Sequence, residues 1–235
     1  MFGLCIVCSL NKPNNNLTLR MISFNNVTYS YPNGNGIFDA TFRVLPGEFS
    51  FLIGPSGAGK TTIIKLIYMD LFPNKGEIIL NRYSSKNLRK RKIPNHRRDI
   101  GMIFQNFNLL NDRNLYENVA LPLHVIGCKK KEIHDRVMAL LIEVGLEDKA
   151  KEYPEELSGG EQQRACIARG LIKNPKIILA DEPTGNLDPS SAMQIVRLFE
   201  RVNKSGATVL MSSHNYRLIK ELDHRFIEII NGIVQ

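Results

Sequence analysis

The chain has 235 residues, of which 43% are hydrophobic and 23% are charged, a balance typical of a globular protein and not of a disordered or fibrous one. No run of about 18 uncharged apolar residues occurs, so the chain is not expected to span a membrane by itself, and any role at a membrane needs a partner. The net charge of +8 is compatible with an anionic partner, either a lipid surface or a nucleic acid.

Residues 1–20 do not fit the pattern of the rest of the chain. They begin with MFGLCIVCSL, which is apolar but lacks a basic leader, and an Asn-rich stretch follows, so a signal peptide is a poor fit. A second methionine, Met21, precedes the first alternating strand pattern. We therefore expect residues 1–20 to be a disordered extension or a wrongly assigned start, and the domain to cover residues 21–235.

Strand patterns and turns predict an antiparallel sheet in the first part of the domain. Short β-patterned runs lie within residues 22–50, and turn-forming residues at 32–36 and 46–47 separate them. The apolar run Phe49–Ile53 then leads into a glycine-rich loop, and a helical pattern follows over residues 61–68. A strand, such a loop and a helix in this order are the context that a phosphate-binding loop requires.

The loop GPSGAGKT, residues 54–61, has the residue types that hold the phosphates of a nucleotide. Its glycines let the backbone wrap around a β-phosphate with N–H donors. The ammonium group of Lys60 would bridge the β- and γ-phosphates, and the hydroxyl of Thr61 would bind Mg²⁺. The sequence therefore predicts ATP and Mg²⁺ as ligands. The residues expected to hold the nucleotide are Gly54, Pro55, Ser56, Gly57, Ala58, Gly59, Lys60, Thr61 and Thr62.

Two segments separate this loop from the next glycine pair. Residues 100–104 form a short apolar strand that ends at Gln105, whose amide can bind the metal or the attacking water. Residues 116–150 have a mostly helical pattern and place four apolar residues on one face. These are Val137, Leu140, Leu141 and Val144. We expect a helical subdomain at about residues 106–160.

The octapeptide LSGGEQQR, residues 157–164, predicts a second anion site. Serine and two glycines open a helix there, and the first turn of a helix has free N–H groups and a positive dipole. One nucleotide does not need two phosphate sites in the same chain. The site at Ser158, Gly159 and Gly160 is therefore expected to serve the nucleotide of another copy, which indicates a paired ATPase.

The segment KIILADE places two adjacent acids at the end of an apolar strand, as in a central strand of a parallel sheet. Successive residues at a strand end point in different directions. Asp181 is therefore predicted to hold Mg²⁺, and Glu182 to orient or deprotonate the attacking water. An adjacent acidic pair also occurs in solvated turns, but the strand before it and Pro183 after it favour the catalytic interpretation.

Two further assignments, one of a histidine and one of a tyrosine, each have an alternative. A second apolar run, residues 207–212, leads to His214, which either donates a hydrogen bond to the γ-phosphate or has a structural role at the strand end. Tyr31 is the candidate for stacking on adenine, with Tyr29 as its competitor. Tertiary structure is needed to separate these alternatives.

Positive charge is concentrated at residues 86–98, with a smaller cluster at 129–131. The segment is a solvated face, a surface attracted to the anionic inner leaflet of a membrane, or a nucleic-acid site. No aromatic pattern for base stacking interleaves either cluster, so no specific nucleic-acid partner is predicted.

The motifs occur in the order found in the nucleotide-binding subunits of ATP-binding cassette (ABC) systems, and the chain resembles that family over residues 21–235. The shared features are Tyr31, GPSGAGKT, Gln105, LSGGEQQR, IILADE, GNLD at residues 185–188, and His214. The resemblance implies an α/β fold with a P-loop NTPase (RecA-like) core, an N-terminal antiparallel β subdomain and a helical signature subdomain. It also implies a head-to-tail homodimer in the ATP-bound state, in which Ser158 and Gly160 contact the partner's γ-phosphate and Asp188 lies at the junction.

A finer resemblance is to the branch of the family that contains cell-division, lipoprotein-release and macrolide-export ATPases. The sequence EPTGNLD is similar to that branch, and residues 97–123 are most similar to its cell-division members. This implies a polytopic membrane partner, a peripheral position on the cytoplasmic side of the inner membrane at the division site, and a relay of motion to cell-wall hydrolases. An exporter of the same architecture is the alternative; a DNA-handling ATPase fits less well, because no sustained heptads separate Lys60 from Ser158.

Overall fold

The computed structural model describes residues 22–185 and 187–235 and contains two β-sheets flanked by helices. The strands are β1 (Ile22–Ser30), β2 (Gly36–Val44), β3 (Phe49–Ile53), β4 (Lys75–Leu80), β5 (Tyr83–Ser84), β6 (Ile100–Ile103), β7 (Ile177–Ala180), β8 (Thr208–Ser213), β9 (Arg225–Ile230) and β10 (Ile233–Val234). The α-helices are α1 (Lys60–Ile67), α2 (Ile93–Arg98), α3 (Leu115–Val125), α4 (Lys130–Glu143), α5 (Gly159–Leu171), α6 (Pro189–Lys204) and α7 (Tyr216–Ile219). Short 3₁₀ helices lie at Lys90–Lys92, Glu147–Lys149 and Pro154–Glu156. The extension predicted at residues 1–20 lies outside the described residues.

The smaller sheet is antiparallel, with strand order β2-β1-β4-β5. Phe24 of β1 stacks on Phe42 of β2 with ring centroids 4.5 Å apart, and both side chains are buried. Gly36 begins β2 so close to the backbone of Tyr29 that a Cβ would overlap the carbonyl oxygen, which explains the glycine in this hairpin. The predicted antiparallel sheet is confirmed, with β4 and β5 as strands that the sequence pattern did not predict.

The larger sheet has strand order β10-β9-β3-β8-β7-β6 and is parallel except for β10. Strands β6, β7 and β8 are buried along their whole length, as expected for parallel strands that are covered on both faces of the sheet. The carboxyl ends of parallel strands meet at one edge of a sheet, where such folds bind ligands. The phosphate loop after β3, Asp181 after β7 and His214 after β8 are therefore brought to the same edge.

Helices α3, α4 and α5 pack around an apolar core that they share with the larger sheet. Helix α3 begins with a capping box, in which the N–H of Glu117 donates to Asn114 Oδ1 over 2.9 Å and the N–H of Asn114 donates to Glu117 Oε2 over 3.0 Å. Of the four residues predicted to share one face, Leu140 is only half-buried and the other three are buried. Within the described ranges, no helix has the length and apolar character needed to cross a membrane.

Candidate nucleotide site

The phosphate loop follows β3 without a break and is held by close packing at two of its glycines. Gly54 has φ 147° and lies so near the carbonyl oxygen of Ile229 that a Cβ would overlap it. Gly59 has φ 113° and precedes α1, where a Cβ would collide with the side chain of Ile37. Both positions need the left-handed backbone that glycine adopts readily. The loop is therefore anchored to β9 on one side and to β2 on the other.

Lys60 closes the loop from inside the protein. Its side chain is only 4% exposed, and its ammonium group donates to the carbonyl oxygens of Gly54 (2.9 Å) and Pro55 (3.1 Å). The same nitrogen lies 3.3 Å from Glu182 Oε1. A buried ammonium needs such partners, because an unpaired charge away from water is costly. The positive charge is thus already fixed beside the loop where phosphates would bind.

Asp181 is a buried carboxylate that accepts two hydroxyl hydrogen bonds. Its Oδ1 atom accepts from Thr61 Oγ1 over 3.1 Å and from Ser212 Oγ over 2.8 Å. Burial raises the pKa of Asp181, and the bonds from Ser212 and Thr61 lower it in part. The carboxylate and the Thr61 hydroxyl, both predicted to bind the metal, lie next to each other.

Glu182 makes contacts quite different from those of its neighbour Asp181. Its backbone has φ 47°, in the left-handed region, and its N–H donates to Ser212 Oγ over 2.8 Å. Its carboxylate lies between Lys60 on one oxygen and His214 Nδ1, at 2.9 Å, on the other. The carboxylates of the two adjacent acids therefore reach separate partners, as the alternation at a strand end predicts, while Ser212 contacts both residues.

His214 is brought to the same edge, and its side chain is 49% exposed. Its hydrogen bond to Glu182 joins it to the residue predicted to orient the attacking water, and not only to the surrounding fold. A cavity of about 60 Å³ adjoins this pair and is large enough to hold water. Its lining consists of Glu182, Thr184, Gly185, Leu187, Ser213, His214 and Asn215.

Tyr31 and Gln105 lie at the periphery of the site. The hydroxyl of Tyr31 is 3.4 Å from Thr62 Oγ1 at the start of α1, and the ring of Tyr29 packs edge-on against it at 4.9 Å. This contact favours Tyr31 over Tyr29 as the residue next to the nucleotide. Gln105 is exposed in the turn after β6, and within the described residues it makes no hydrogen bond to Thr61 or Asp181.

The signature segment forms a second, separate feature. Ser158 caps α5, and its N–H and hydroxyl donate to Glu161 Oε2 over 2.8 and 2.6 Å. The hydroxyl and the N–H of Ser158 lower the pKa of Glu161. Asp188 caps α6 in a similar way and accepts from the N–H groups of Ser190 and Ser191. Ser158, Gly159 and Asp188 are exposed, and no bond joins them to the phosphate loop within the described part of the chain.

Two residues contribute to the site although no motif identified them. Ser212, fully buried on β8, contacts both Asp181 and Glu182. Arg169 of α5 donates to the carbonyl oxygens of Phe107 and Asn108, which have positive φ angles in the loop after Gln105. The sequence signal for Ser212 is a serine at the end of an apolar run, two residues before His214. Arg169 had none, because its partners lie far away in sequence.

The basic segment 86–98 divides into two parts. Arg97 donates to the carbonyl oxygens of Tyr68 and Met69, both over 3.1 Å, and pairs with Asp70 at 3.2 Å, so it fastens the end of α1 and is not part of a solvated face. Most of the other cations, including Arg98, are exposed. The interpretation of a free basic surface is therefore wrong for Arg97.

Comparison with known proteins gives the same family on three grounds. A sequence profile of the ABC transporter family matches residues 37–185. The cell division ATP-binding protein FtsE of Escherichia coli is 46% identical over 213 residues, which are 90% of this chain and 96% of the relative. FtsE of Bacillus subtilis is 44% identical over 218 residues, covering 91% of this chain and 94% of the relative.

Solved structures have the same fold. The ATP-binding cassette MJ0796, solved as a dimer in a post-hydrolysis state with ADP and phosphate, superposes with a TM-score of 0.86. It is 34% identical in sequence, and the match covers 91% of this chain and 96% of that one. The predicted α/β fold, a P-loop core with an antiparallel and a helical subdomain, is thereby confirmed. The chain therefore belongs to the ABC transporter family and is an ABC-type ATPase.

Proposed function

We propose that this chain is the ATP-hydrolysing subunit of a membrane ABC complex and acts as an FtsE protein with the polytopic membrane protein FtsX in cell division and the control of cell-wall hydrolysis. The observation that carries the proposal is the match of relatives named FtsE over nine-tenths or more of their own length. The geometry of the site supports a role for each residue in turn.

ATP binds with its phosphates in the loop of residues 54–62 and its adenine against Tyr31. The ammonium of Lys60 is already buried beside this loop, and it exchanges its contacts with Gly54, Pro55 and Glu182 for the β- and γ-phosphates. This exchange releases one oxygen of Glu182 at the moment when substrate arrives. ATP binding thus prepares the hydrolytic carboxylate.

The residues next to the loop fit Mg²⁺. Thr61 and Asp181 offer hard oxygen ligands, and their 3.1 Å separation is close to the spacing of adjacent ligands around one small octahedral cation. The amide oxygen of Gln105 would supply a third ligand of the same kind. When bound, Mg²⁺ neutralises part of the phosphate charge and so favours attack by water.

Glu182 orients the attacking water and accepts its proton. His214 holds one oxygen of Glu182 at 2.9 Å and is exposed enough to donate a hydrogen bond to the γ-phosphate. The cavity beside this pair supplies room for the water. The two residues act together, because each fixes the position of the other.

Two copies pair head to tail in the ATP-bound state, and each supplies Ser158, Gly159 and Gly160 to the other's γ-phosphate. Ser158, Gly159 and Asp188, which lies at the junction, are exposed, and Gly160 is half-buried, which supports this arrangement. The similarity to MJ0796, solved as a dimer, supports it as well. Hydrolysis then separates the copies, and the helical segment transmits the movement.

The membrane partner contacts the region of residues 97–123 and the end of α3. Val125, at the end of α3, is 65% exposed, and the adjacent Ile126 is also exposed. Exposed apolar side chains at one place are typical of a protein contact. The complex places this chain peripherally at the cytoplasmic side of the inner membrane, at the division site, where exposed cations of the basic segment add attraction to anionic lipid.

Affinity capture of the tagged chain from membranes, followed by identification of the stoichiometric integral protein, tests this proposal. We expect an FtsX-like protein, and we expect Val125→Glu to lose it while the basal ATPase activity stays unchanged. Ile142→Glu is the matched control, since Ile142 is 61% exposed on α4 and lies outside the proposed contact. Capture of a lipoprotein-releasing (LolD-type) or macrolide-exporting (MacB-type) membrane subunit would contradict the FtsE assignment and favour the exporter alternative.

A further inference from the structure

We propose that Ser212 is a positioning residue that fixes both acids of the hydrolytic site, Asp181 and Glu182. This role rests on the functions proposed above for the two acids. Ser212 lies on β8, two residues before His214, and its side chain is 0% exposed. No sequence motif of the site includes it, and its position in the structure is the sole basis of the proposal.

The two hydrogen bonds of Ser212 have fixed directions. The backbone nitrogen of Glu182 is a donor, so Ser212 Oγ accepts that bond, which is 2.8 Å long. The carboxylate of Asp181 is an acceptor when ionised, so the Ser212 hydroxyl donates to Oδ1 over 2.8 Å. One buried hydroxyl thus links the backbone of one acid to the side chain of the other.

At Asp181, this bond decides which carboxylate oxygen is engaged. Thr61 and Ser212 both donate to Oδ1, whereas Oδ2 accepts no hydrogen bond from the described residues. Two donors on one oxygen fix the rotation of the carboxylate and keep Oδ2 available to a cation. If Thr61 turns toward Mg²⁺, Ser212 is the donor that still holds Asp181 in place.

At Glu182, the bond holds a backbone conformation that glutamate adopts infrequently. Its φ of 47° lies in the left-handed region, and the hydrogen bond from its N–H to Ser212 stabilises this conformation. His214 directly follows β8, two residues after Ser212, and holds the carboxylate of Glu182. The end of β8 therefore fixes Glu182 at its backbone and at its side chain.

Ser212→Ala removes the hydroxyl with little change in volume and tests this role. We expect unchanged affinity for a non-hydrolysable ATP analogue in EDTA, because the phosphate loop is intact. The gain in affinity on adding Mg²⁺ and the value of kcat should both fall by about tenfold to a hundredfold, as for other groups that orient a metal ligand. Fluorescence titration with and without Mg²⁺ measures the first quantity, and phosphate release measures the second.

Ser50→Ala is the matched control. Ser50 is a fully buried serine on the adjacent strand β3, and its hydroxyl donates to Glu48 near the start of that strand, away from the site. The same substitution there should leave the Mg²⁺-dependent gain and kcat at the wild-type values. A Ser212→Ala protein that behaves like Ser50→Ala would overturn the role of Ser212.

A double variant separates positioning from a general loss of packing. If Ser212 sets the metal affinity through Asp181, then Ser212→Ala should cause no further loss of the Mg²⁺-dependent gain in an Asp181→Asn background. Additive losses would count against the proposal. An Asp181→Asn protein that keeps the full gain would instead overturn the metal role of Asp181, which is a different result from Ser212→Ala matching Ser50→Ala.

Discussion

The phosphate loop and the signature segment are both predicted to bind phosphate, but within one chain only the first has its charged group already in place. Lys60 is buried and already contacts Gly54, Pro55 and Glu182. Ser158 and Gly159, by contrast, are exposed at the start of α5. The phosphate loop is organised by the fold itself, whereas the signature needs a second surface to become a buried site. This difference is the physical reason to expect that ATP joins two copies.

The signature also contains an anion of its own. The carboxylate of Glu161 accepts both the N–H and the hydroxyl of Ser158, and these bonds lower its pKa, so it is ionised at neutral pH. In the proposed head-to-tail dimer, a phosphate of the neighbouring nucleotide would have to replace this carboxylate or share its donors. The ammonium of Lys60 therefore contacts the phosphate loop before any nucleotide binds, whereas the carboxylate of Glu161 occupies the donors of Ser158 in the signature.

The largest expected effect comes from Glu182→Gln, which separates ATP-dependent pairing of the two copies from ATP hydrolysis. Binding groups remain while the proton acceptor is lost, so kcat should fall by about 10²- to 10⁴-fold. ATP should then hold the two copies together, and size-exclusion chromatography with ATP and Mg²⁺ should show a dimer. Glu200→Gln is the control, because Glu200 pairs with His224 at 3.0 Å away from the phosphate loop. Equal turnover of the two variants would remove Glu182 from the mechanism.

Lys60→Ala tests whether the phosphate site is complete within one chain. Loss of a charged donor should weaken ATP binding by about 10- to 100-fold even in the monomer. Lys65→Ala, an exposed lysine of the same helix, should bind ATP as the wild type does. Calorimetric titration measures both affinities. Full affinity in Lys60→Ala would contradict its role at the phosphates.

The features that the sequence predicts best are those with a local signal. Phe49–Ile53 and the strand before Asp181 are unbroken apolar runs, and glycines mark the loop between β3 and α1. Parallel strands bring their carboxyl ends to one edge of the sheet, which accounts for where the structure places both segments. Strand β7 covers the whole of that second run, Ile177–Ala180, and ends just before Asp181, which contacts Thr61 and Ser212.

Contacts between residues far apart in the sequence could not be predicted, because a pattern of residue types does not indicate which side chains meet. Strand β4 pairs with β1 across the whole phosphate loop, and Arg97 fastens the end of α1 from within a run of cations. The choice between Tyr29 and Tyr31 likewise depended on a contact with Thr62. The hydrogen bonds between Ser158 and Glu161 could be predicted from the sequence, because serine followed three residues later by glutamate is a capping-box pattern.

A mixing experiment tests whether the signature of one copy serves the phosphate loop of the other. Gly159→Asp should keep ATP binding but lose hydrolysis. Among the described residues outside its own turn, no atom lies within 4 Å of a Cβ there, so the new carboxylate should affect only the neighbour's nucleotide. Mixed with Lys60→Ala, it should regain activity, since one of the two shared sites in a mixed dimer contains neither change. If the mixture stays as inactive as its components, the head-to-tail arrangement is wrong.

The smallest effect is expected from Glu161→Gln, which removes the internal anion and keeps the cap. Glutamine can still accept the N–H of Ser158, so α5 should remain intact. Because the neighbour's phosphate is then repelled less, the association constant of the ATP-dependent dimer should rise by a few-fold. High salt should reduce this gain, because charges near the surface are screened. Sedimentation of the dimer in a Glu182→Gln background measures this. Glu117→Gln, the same change in the capping box of α3, should have no effect. A weaker Glu161→Gln dimer would mean that the carboxylate orients Ser158 for contact with the phosphate, and does not compete with the phosphate for the donors of Ser158.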